Sequence, residues 1–289
     1  MTDPQVLKLS ENNYPDLLKK IYDPPKELYV RGDANILNSR CIAMVGTRIA
    51  TNYGKGAAKR LAYDLSKNGF TIVSGLASGI DTEAHKGALD AGGKTIAVFG
   101  CGIDQIIPSE NKKLAEKIEN SGALISEYGP GIPAAKWTFP RRNRIIAGLS
   151  VGTVMIEGHW ESGAMITAKL ALEEGREVFA VPGNIEIDQT KGPHWLIKQG
   201  AKLVENVDDI LEEFNMKRLS EGEKTRKVDH SQLSLDEIKV VSVLDGEPKH
   251  IDEISSISKL SAHEALGLLS MLEIKGAVKQ LPGKYFIIC

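Results

Sequence analysis

The sequence predicts an α/β protein in which a doubly wound, mainly parallel sheet is followed by a small domain of helices and a hairpin. Three observations predict it. Short, continuous apolar runs recur between residues 41 and 204, the pattern of strands buried on both faces. Stretches with apolar residues at helical spacing lie between them, and strands alternating with helices build a parallel sheet. After residue 231 the alternation stops, and a three-helix periodicity ends in two strands about Pro282-Gly283.

In chain order, residues 1–38 read as a short N-terminal extension. It holds a turn at Asp23-Pro24-Pro25 and a short strand at 28–32. Residues 39–216 form the sheet domain. Its strands are expected at 41–46, 70–75, 95–100, 123–128, 152–157 and 177–183, with a weaker one at 201–204. Helices are expected at 53–67, 81–90, 109–119 and 162–174. The first of these sets Ala57, Leu61 and Leu65 at i, i+4 and i+8, with Ala58 and Ala62 alongside. Residues 217–231 carry only Leu219 and Val228 as apolar anchors and read as a linker. In residues 232–289, helices at 233–244, 251–256 and 261–274 precede a strand, turn and strand over 276–288, which is the winged-helix pattern.

The chain has 289 residues, 42% hydrophobic and 26% charged, as in soluble globular proteins. No apolar run approaches the ~18 residues of a membrane span, and the N-terminus lacks the basic start and apolar core of a secretory signal. Cys41, Cys101 and Cys289 form no C-x-x-C pair. No zinc cluster or disulfide framework is expected, and Cys41 and Cys101, in or beside apolar runs, are expected as structural thiols in a reducing cytoplasm. The net charge of −2 argues mildly against a nucleic-acid partner, but Lys136, Arg141, Arg142 and Arg144 cluster with no acid among them.

Four strand-to-helix junctions carry the candidate chemistry. Gly46-Thr47-Arg48, with Gly54 and Gly56 behind it, could offer backbone N–H groups to a phosphate, although it is neither G-x-G-x-x-G nor a Walker A loop. Ser74-Gly75, Ser78 and Gly79 could do the same, while Ser78 or Asp81 could equally cap the next helix. His85 reads as a packed histidine rather than a catalyst. Residues 139–146 set three arginines and Asn143 beside Trp137 and Phe139, matching phosphate geometry and base stacking. Residues 157–167 bring Ser162-Gly163 to a helix start. Glu157 alone is poor grounds for a catalytic carboxylate, and His159 with Glu161 is too little for a metal site. Together these loops predict one extended polar groove with anion donors and no catalytic constellation.

The motifs GTRIATNYG (46–54), SGLASGID (74–81), FPRRNRIIAGLS (139–150), ESGAMITA (161–168) and GREVFAVPGN (175–184), in this order, resemble the DprA/Smf family. The resemblance implies an extended Rossmann-like domain that binds single-stranded DNA without catalytic turnover or a cofactor. It also implies a homodimer and transfer of DNA to the recombinase RecA in transformation or recombination. By motif, Arg48, Ser74, Gly75, Arg141, Arg142, Asn143, Arg144, Ser162 and Gly163 are expected to line the DNA pocket, with Lys136 and Phe139 beside them. The chain departs from the pattern at Ser78, where many members carry arginine or a large residue, at 192–197, and in its shortened N-terminal region.

From Ser231 onward six lysines face eight acidic residues, and the presumed recognition helix holds Glu264 and Glu273 but no lysine or arginine. Helices that read a major groove normally carry basic side chains, so this module is expected to bind protein, or DNA only weakly. A transcription regulator led by the winged helix is therefore disfavoured. The remaining alternative is a nucleotide-binding phosphoribohydrolase of the lysine-decarboxylase-like (LOG) type. Its usual P-G-G-x-G-T loop is absent, since Pro182-Gly183-Asn184 comes late and is followed by Ile185.

Overall fold

The structure, a computed structural model, describes residues 4–218, 234–244, 249–274, 278–281 and 283–288. Most of the expected linker, and Cys289, lie outside the described residues. The chain divides into two compact units, Met1–Leu219 and Ser220–Cys289.

The first unit is built on nine strands: β1 (Gln5–Lys8), β2 (Glu27–Gly32), β3 (Cys41–Val45), β4 (Thr71–Ser74), β5 (Thr95–Phe99), β6 (Ala123–Ser126), β7 (Gly152–Met155), β8 (Glu177–Ala180) and β9 (Lys202–Leu203). They lie in the order β1-β2-β6-β5-β4-β3-β7-β8-β9. The strands from β6 to β9 pair in parallel, whereas β2 joins β6 antiparallel, with Tyr29 opposite Ser126, and β1 joins β2 antiparallel. Residues 5–32, set apart by sequence as an extension, are thus continuous with the sheet. From β3 the chain steps outward through β4, β5 and β6, then returns to lay β7 on the other side of β3. That reversal opens a crevice at the carboxyl ends of β3 and β7.

The helices are α1 (Asp16–Lys19), α2 (Asn52–Lys67), α3 (Ile80–Asp90), α4 (Lys112–Ser121), α5 (Thr138–Leu149), α6 (Gly163–Glu173), α7 (Lys191–Lys198) and α8 (Val207–Glu213). Side chains alternate across each strand, so β3 feeds two cores. Cys41, Ala43 and Val45 pack with α1, α5, α6 and α7, while Ile42 and Met44 pack with α2, α3 and α8. The face that α2 buries is Gly54, Ala57, Ala58, Leu61, Ala62 and Leu65, the stripe that the sequence spacing predicts. Helix α5 was not predicted, because its arginines and Pro140 obscure the apolar period. Pro140 lies in the first turn, where a missing N–H costs nothing.

In the second unit α9 (Leu235–Val243), β10 (Lys249–His250), α10 (Ile251–Ser258), α11 (Ala262–Ile274), β11 (Val278–Leu281) and β12 (Tyr285–Ile288) form a winged helix. Ser234 and Glu237 close a capping box at the start of α9. The antiparallel hairpin β11–β12 is extended by β10, giving the order β10-β12-β11. Val240, Ile254, Leu269, Leu272 and Phe286 are central to its core.

Candidate functional site

The crevice at the ends of β3 and β7 is a groove of about 730 Å³. Its walls come from the loop after β3 (Gly46 to Ile49), from Ala77 and Asp81 after β4, from residues 134–136, from α5 and from the start of α6. Of the expected site residues it gathers Arg48, Lys136, Phe139, Arg142, Asn143, Ser162 and Gly163.

Helix α5 decides how the basic cluster is distributed. Phe139, Arg142, Asn143 and Ile146 all line the groove, a spacing of i, i+3, i+4 and i+7 that defines one helix face. Arg141 and Arg144, one turn apart, face away and share Glu127. Arg141 Nε lies 3.0 Å from its carboxylate, and Arg144 donates to the other oxygen while its Nε stands 3.2 Å from Asp23. Burial pushes the Glu127 carboxyl above its ordinary value, and the charges of Arg144 and Arg141 oppose that rise. The continuous basic patch expected over residues 141–144 is therefore split. Arg144 is buried within the fold, and Arg141 is half-exposed outside the groove.

Arg142 lines the groove floor but is itself 6% exposed. Its Nη1 donates to the carbonyl oxygens of Gly75 at 2.8 Å and Val98 at 2.5 Å, and its Nε donates to Asn143 Oδ1 at 3.2 Å. A Cβ on Gly75 would lie 2.2 Å from Nη1. Gly75 is thus the seat of Arg142, not an approach for a ligand. Ser74 also leaves the expected site: its buried hydroxyl donates to the Met44 carbonyl at 2.7 Å. The N–H groups of Gly75 and Ala77 donate to the carboxylate of buried Asp81, so the second junction binds its own side chain. Burial raises the Asp81 carboxyl above its usual value, against the lowering effect of the Arg142 charge. Leu76, between these residues, holds φ at 58°, and its carbonyl accepts from Asn111 Nδ2 at 2.9 Å. Ser78 donates to Glu110 at 2.9 Å.

His85 is fully buried. Thr95 Oγ1 donates to the Ile72 carbonyl and so accepts from His85 Nδ1 at 2.7 Å. Burial, with the Arg142 charge, pulls the imidazole down to about 3. Burial likewise pushes the Cys41 thiol up to about 12 and the Cys101 thiol up to about 11.

The groove rim holds the accessible cations. Arg48 and Lys136 are exposed, and among the described residues neither is paired with a carboxylate. The Arg48 guanidinium stands 5.8 Å from the centre of the Phe139 ring. Opposite α5, helix α6 begins at Gly163 with no side chain capping it and no acid in its first turn. The Ser162 hydroxyl is buried and, among the described residues, without a hydrogen-bond partner, and Asn143 Nδ2 donates to the Gly163 carbonyl at 3.1 Å. An uncapped helix N-terminus beside unpaired cations gives this part of the groove a positive electrostatic character.

The first junction differs from its sequence reading. The N-terminus of α2 is filled by Glu157, which is 1% exposed and follows β7. Its carboxylate accepts from Thr51 N–H at 2.9 Å and from the Thr51 hydroxyl. A Cβ on Gly54 would lie 2.3 Å from that carboxylate. Sequence reasoning missed this partner because Glu157 is 106 positions away from Thr51. Among the described residues no group of three or more His, Cys, Asp or Glu is placed to hold a metal, and no helix is long and apolar enough to cross a membrane.

Residues 5–215 match the family described as DNA recombination-mediator protein A, and residues 225–284 match the DprA winged helix domain. The chain is 46% identical over 209 residues to the DNA processing protein DprA of Bacillus subtilis, covering 72% of this chain and 70% of that one. It is 39% identical over 277 residues to Protein Smf of Escherichia coli, covering 94% and 74%. Among solved structures, DNA processing protein A of Streptococcus pneumoniae superposes with a TM-score of 0.71 at 44% identity, covering 73% of this chain and 74% of that chain. DNA processing protein A of Helicobacter pylori, described for its single-stranded DNA binding mode, gives 0.66 at 32% identity, covering 73% and 95%.

Proposed function

This chain belongs to the DNA recombination-mediator protein A family, and from that premise we propose that it binds single-stranded DNA in the groove between α5 and α6. The observation that carries the reading is the pairing of an uncapped α6 N-terminus with the unpaired cations Arg48 and Lys136 across one groove. Backbone N–H groups at the start of α6 hold one phosphate, and Arg48 and Lys136 neutralise its neighbours. Phe139, with Arg48 over its ring, gives a base a face to stack on. Arg142, Asn143, Gly75 and Ser74 act behind this surface by fixing the walls. Arg141 and Arg144 act further out, through Glu127. The single-strand binding mode described for the Helicobacter pylori relative supports single-stranded DNA as the ligand.

The protein acts by binding, without turnover or a cofactor. It shields single strands in the cytoplasm and hands them to the RecA recombinase during transformation or recombination. As a homodimer it offers two grooves to one long strand, which raises avidity. The winged-helix unit engages protein, or DNA weakly, since α11 carries Glu264 and Glu273 and no lysine or arginine. The phosphoribohydrolase alternative finds less support, because the first-junction site where a nucleotide phosphate would rest is taken by Glu157.

The test is fluorescence anisotropy with a labelled oligo-dT strand and a matched duplex, across a salt series. Salt-dependent preference for the single strand supports the reading. No binding, or equal binding to the duplex, overturns it.

A further inference from the structure

We propose that Glu157 is a positioning residue for single-strand binding: its buried carboxylate substitutes for a bound anion at the N-terminus of α2 and thereby holds the Arg48 loop at the groove. The inference rests on the single-strand reading above, and it concerns a residue that does not itself line the groove.

The loop from Gly46 to Thr51 joins β3 to α2 and carries Arg48 and the exposed Ile49. Glu157 grips both of its ends. At the start, the Thr47 N–H donates to the Glu157 backbone carbonyl at 2.7 Å. At the finish, Thr51 donates to the carboxylate through both its N–H and its hydroxyl. Thr51 Oγ1 in turn accepts from Gly54 N–H at 3.0 Å, so the carboxylate is wired into the helix cap. The start of the loop is braced from α3 as well: Ile80 N–H donates to the Thr47 carbonyl at 3.2 Å, and a Cβ on Gly79 would meet the Thr47 carbonyl at 2.4 Å. The loop is thus anchored at Thr47 and at Thr51, and Arg48 lies between the two anchors.

The placement also explains where the nucleic-acid phosphates go. In doubly wound sheets the first helix N-terminus beside the switch point is the usual phosphate site, because N–H groups and the helix dipole converge there. Here β7, the strand across the switch point, supplies a carboxylate of the protein's own. Gly54 has no side chain where that carboxylate sits, so the glycine serves Glu157. With α2 occupied, the helix N-termini left to an external anion in this groove are those of α5 and α6, neither of which is capped by a side chain.

Electrostatics and positioning predict opposite signs. Removing a carboxylate near a polyanion strengthens binding by charge alone. If Glu157 acts by holding Arg48, its removal weakens binding instead.

The experiment uses the full chain as wild type, Arg48→Ala, Glu157→Ala, Glu157→Gln and Arg48→Ala/Glu157→Ala, with anisotropy on labelled oligo-dT at one salt concentration. Arg48→Ala is expected to weaken binding on the order of tenfold, the loss of one charge-assisted contact. Glu157→Ala should weaken it by a similar factor, and the double variant should bind no worse than Arg48→Ala alone. Glu157→Gln keeps one acceptor and should fall between; if Glu157→Ala does not fold, the same cycle is run with Gln. Equal or tighter binding by the Glu157 variants, or losses that multiply in the double variant, would overturn the inference while leaving the single-strand reading intact. Amide hydrogen exchange of residues 46–54 reads the clamp without DNA. Faster exchange in Glu157→Gln supports it, and unchanged exchange overturns it even where the wild type binds no DNA.

Discussion

Arg142 Nη1 donates to the Gly75 carbonyl at 2.8 Å, and the absent side chain of Gly75 is what admits it. Two junctions of the sheet, after β4 and before α5, are locked together by this one contact beneath the groove.

Arg142 is expected to matter first for stability. Arg142→Met leaves the Gly75 and Val98 carbonyls without their buried donor and removes the charge that opposes the rise at Asp81. The cost should be on the order of 3 kcal/mol. Gly75→Ala expels the same guanidinium, so combining the two should cost much less than the sum of the singles. Urea unfolding of the four proteins checks this, and full additivity would contradict it.

Arg48 and Lys136 should report on DNA without affecting the fold. Each phosphate contact contributes about −0.7 to the slope of log K against log salt for single strands. Arg48→Ala and Lys136→Ala should each flatten the slope by about that amount, with stability changed by less than about 0.5 kcal/mol. Arg141→Ala, whose guanidinium is held at 3.0 Å by Glu127, should change the slope much less.

His85 should make the sheet domain acid-sensitive. Its folded value of about 3 lies below the ordinary 6.5, so the unfolded chain binds a proton that the folded one refuses. The stability it contributes is fully present above pH 6.5 and is lost as pH falls toward 3, by about 1.4 kcal/mol per pH unit. His85→Asn keeps a donor for Thr95 but does not titrate. Its stability should fall less steeply than the wild type's between pH 6.5 and 4.5 in urea titrations of the sheet domain.

Cys41 and Cys101 should resist alkylation. With thiols pushed up to about 12 and about 11, few thiolates exist at pH 8, and both side chains are buried. Iodoacetamide followed by peptide mapping should label them only after unfolding. Rapid labelling in the folded protein would contradict their placement.

The sequence by itself determined the parallel strands, the buried stripe of α2, the winged-helix pattern and the family, because all of these are written in local periodicity or in contiguous motifs. It also named seven of the residues that line the groove. What only the tertiary structure decided is which way each group points. Arg141, Arg142, Asn143 and Arg144 are neighbours in sequence, but α5 turns them about 100° apart. One face meets the groove, and the other meets Glu127 and Asp23. The glycines at 54 and 75 read as openings for a phosphate, yet each is filled by a side chain from a distant strand or helix, Glu157 and Arg142. The physical reason is common to both. A backbone donor or a missing Cβ is visible in sequence, but the group that occupies it arrives by the topology of the sheet, across 106 residues for Glu157 and Thr51 and 67 for Arg142 and Gly75.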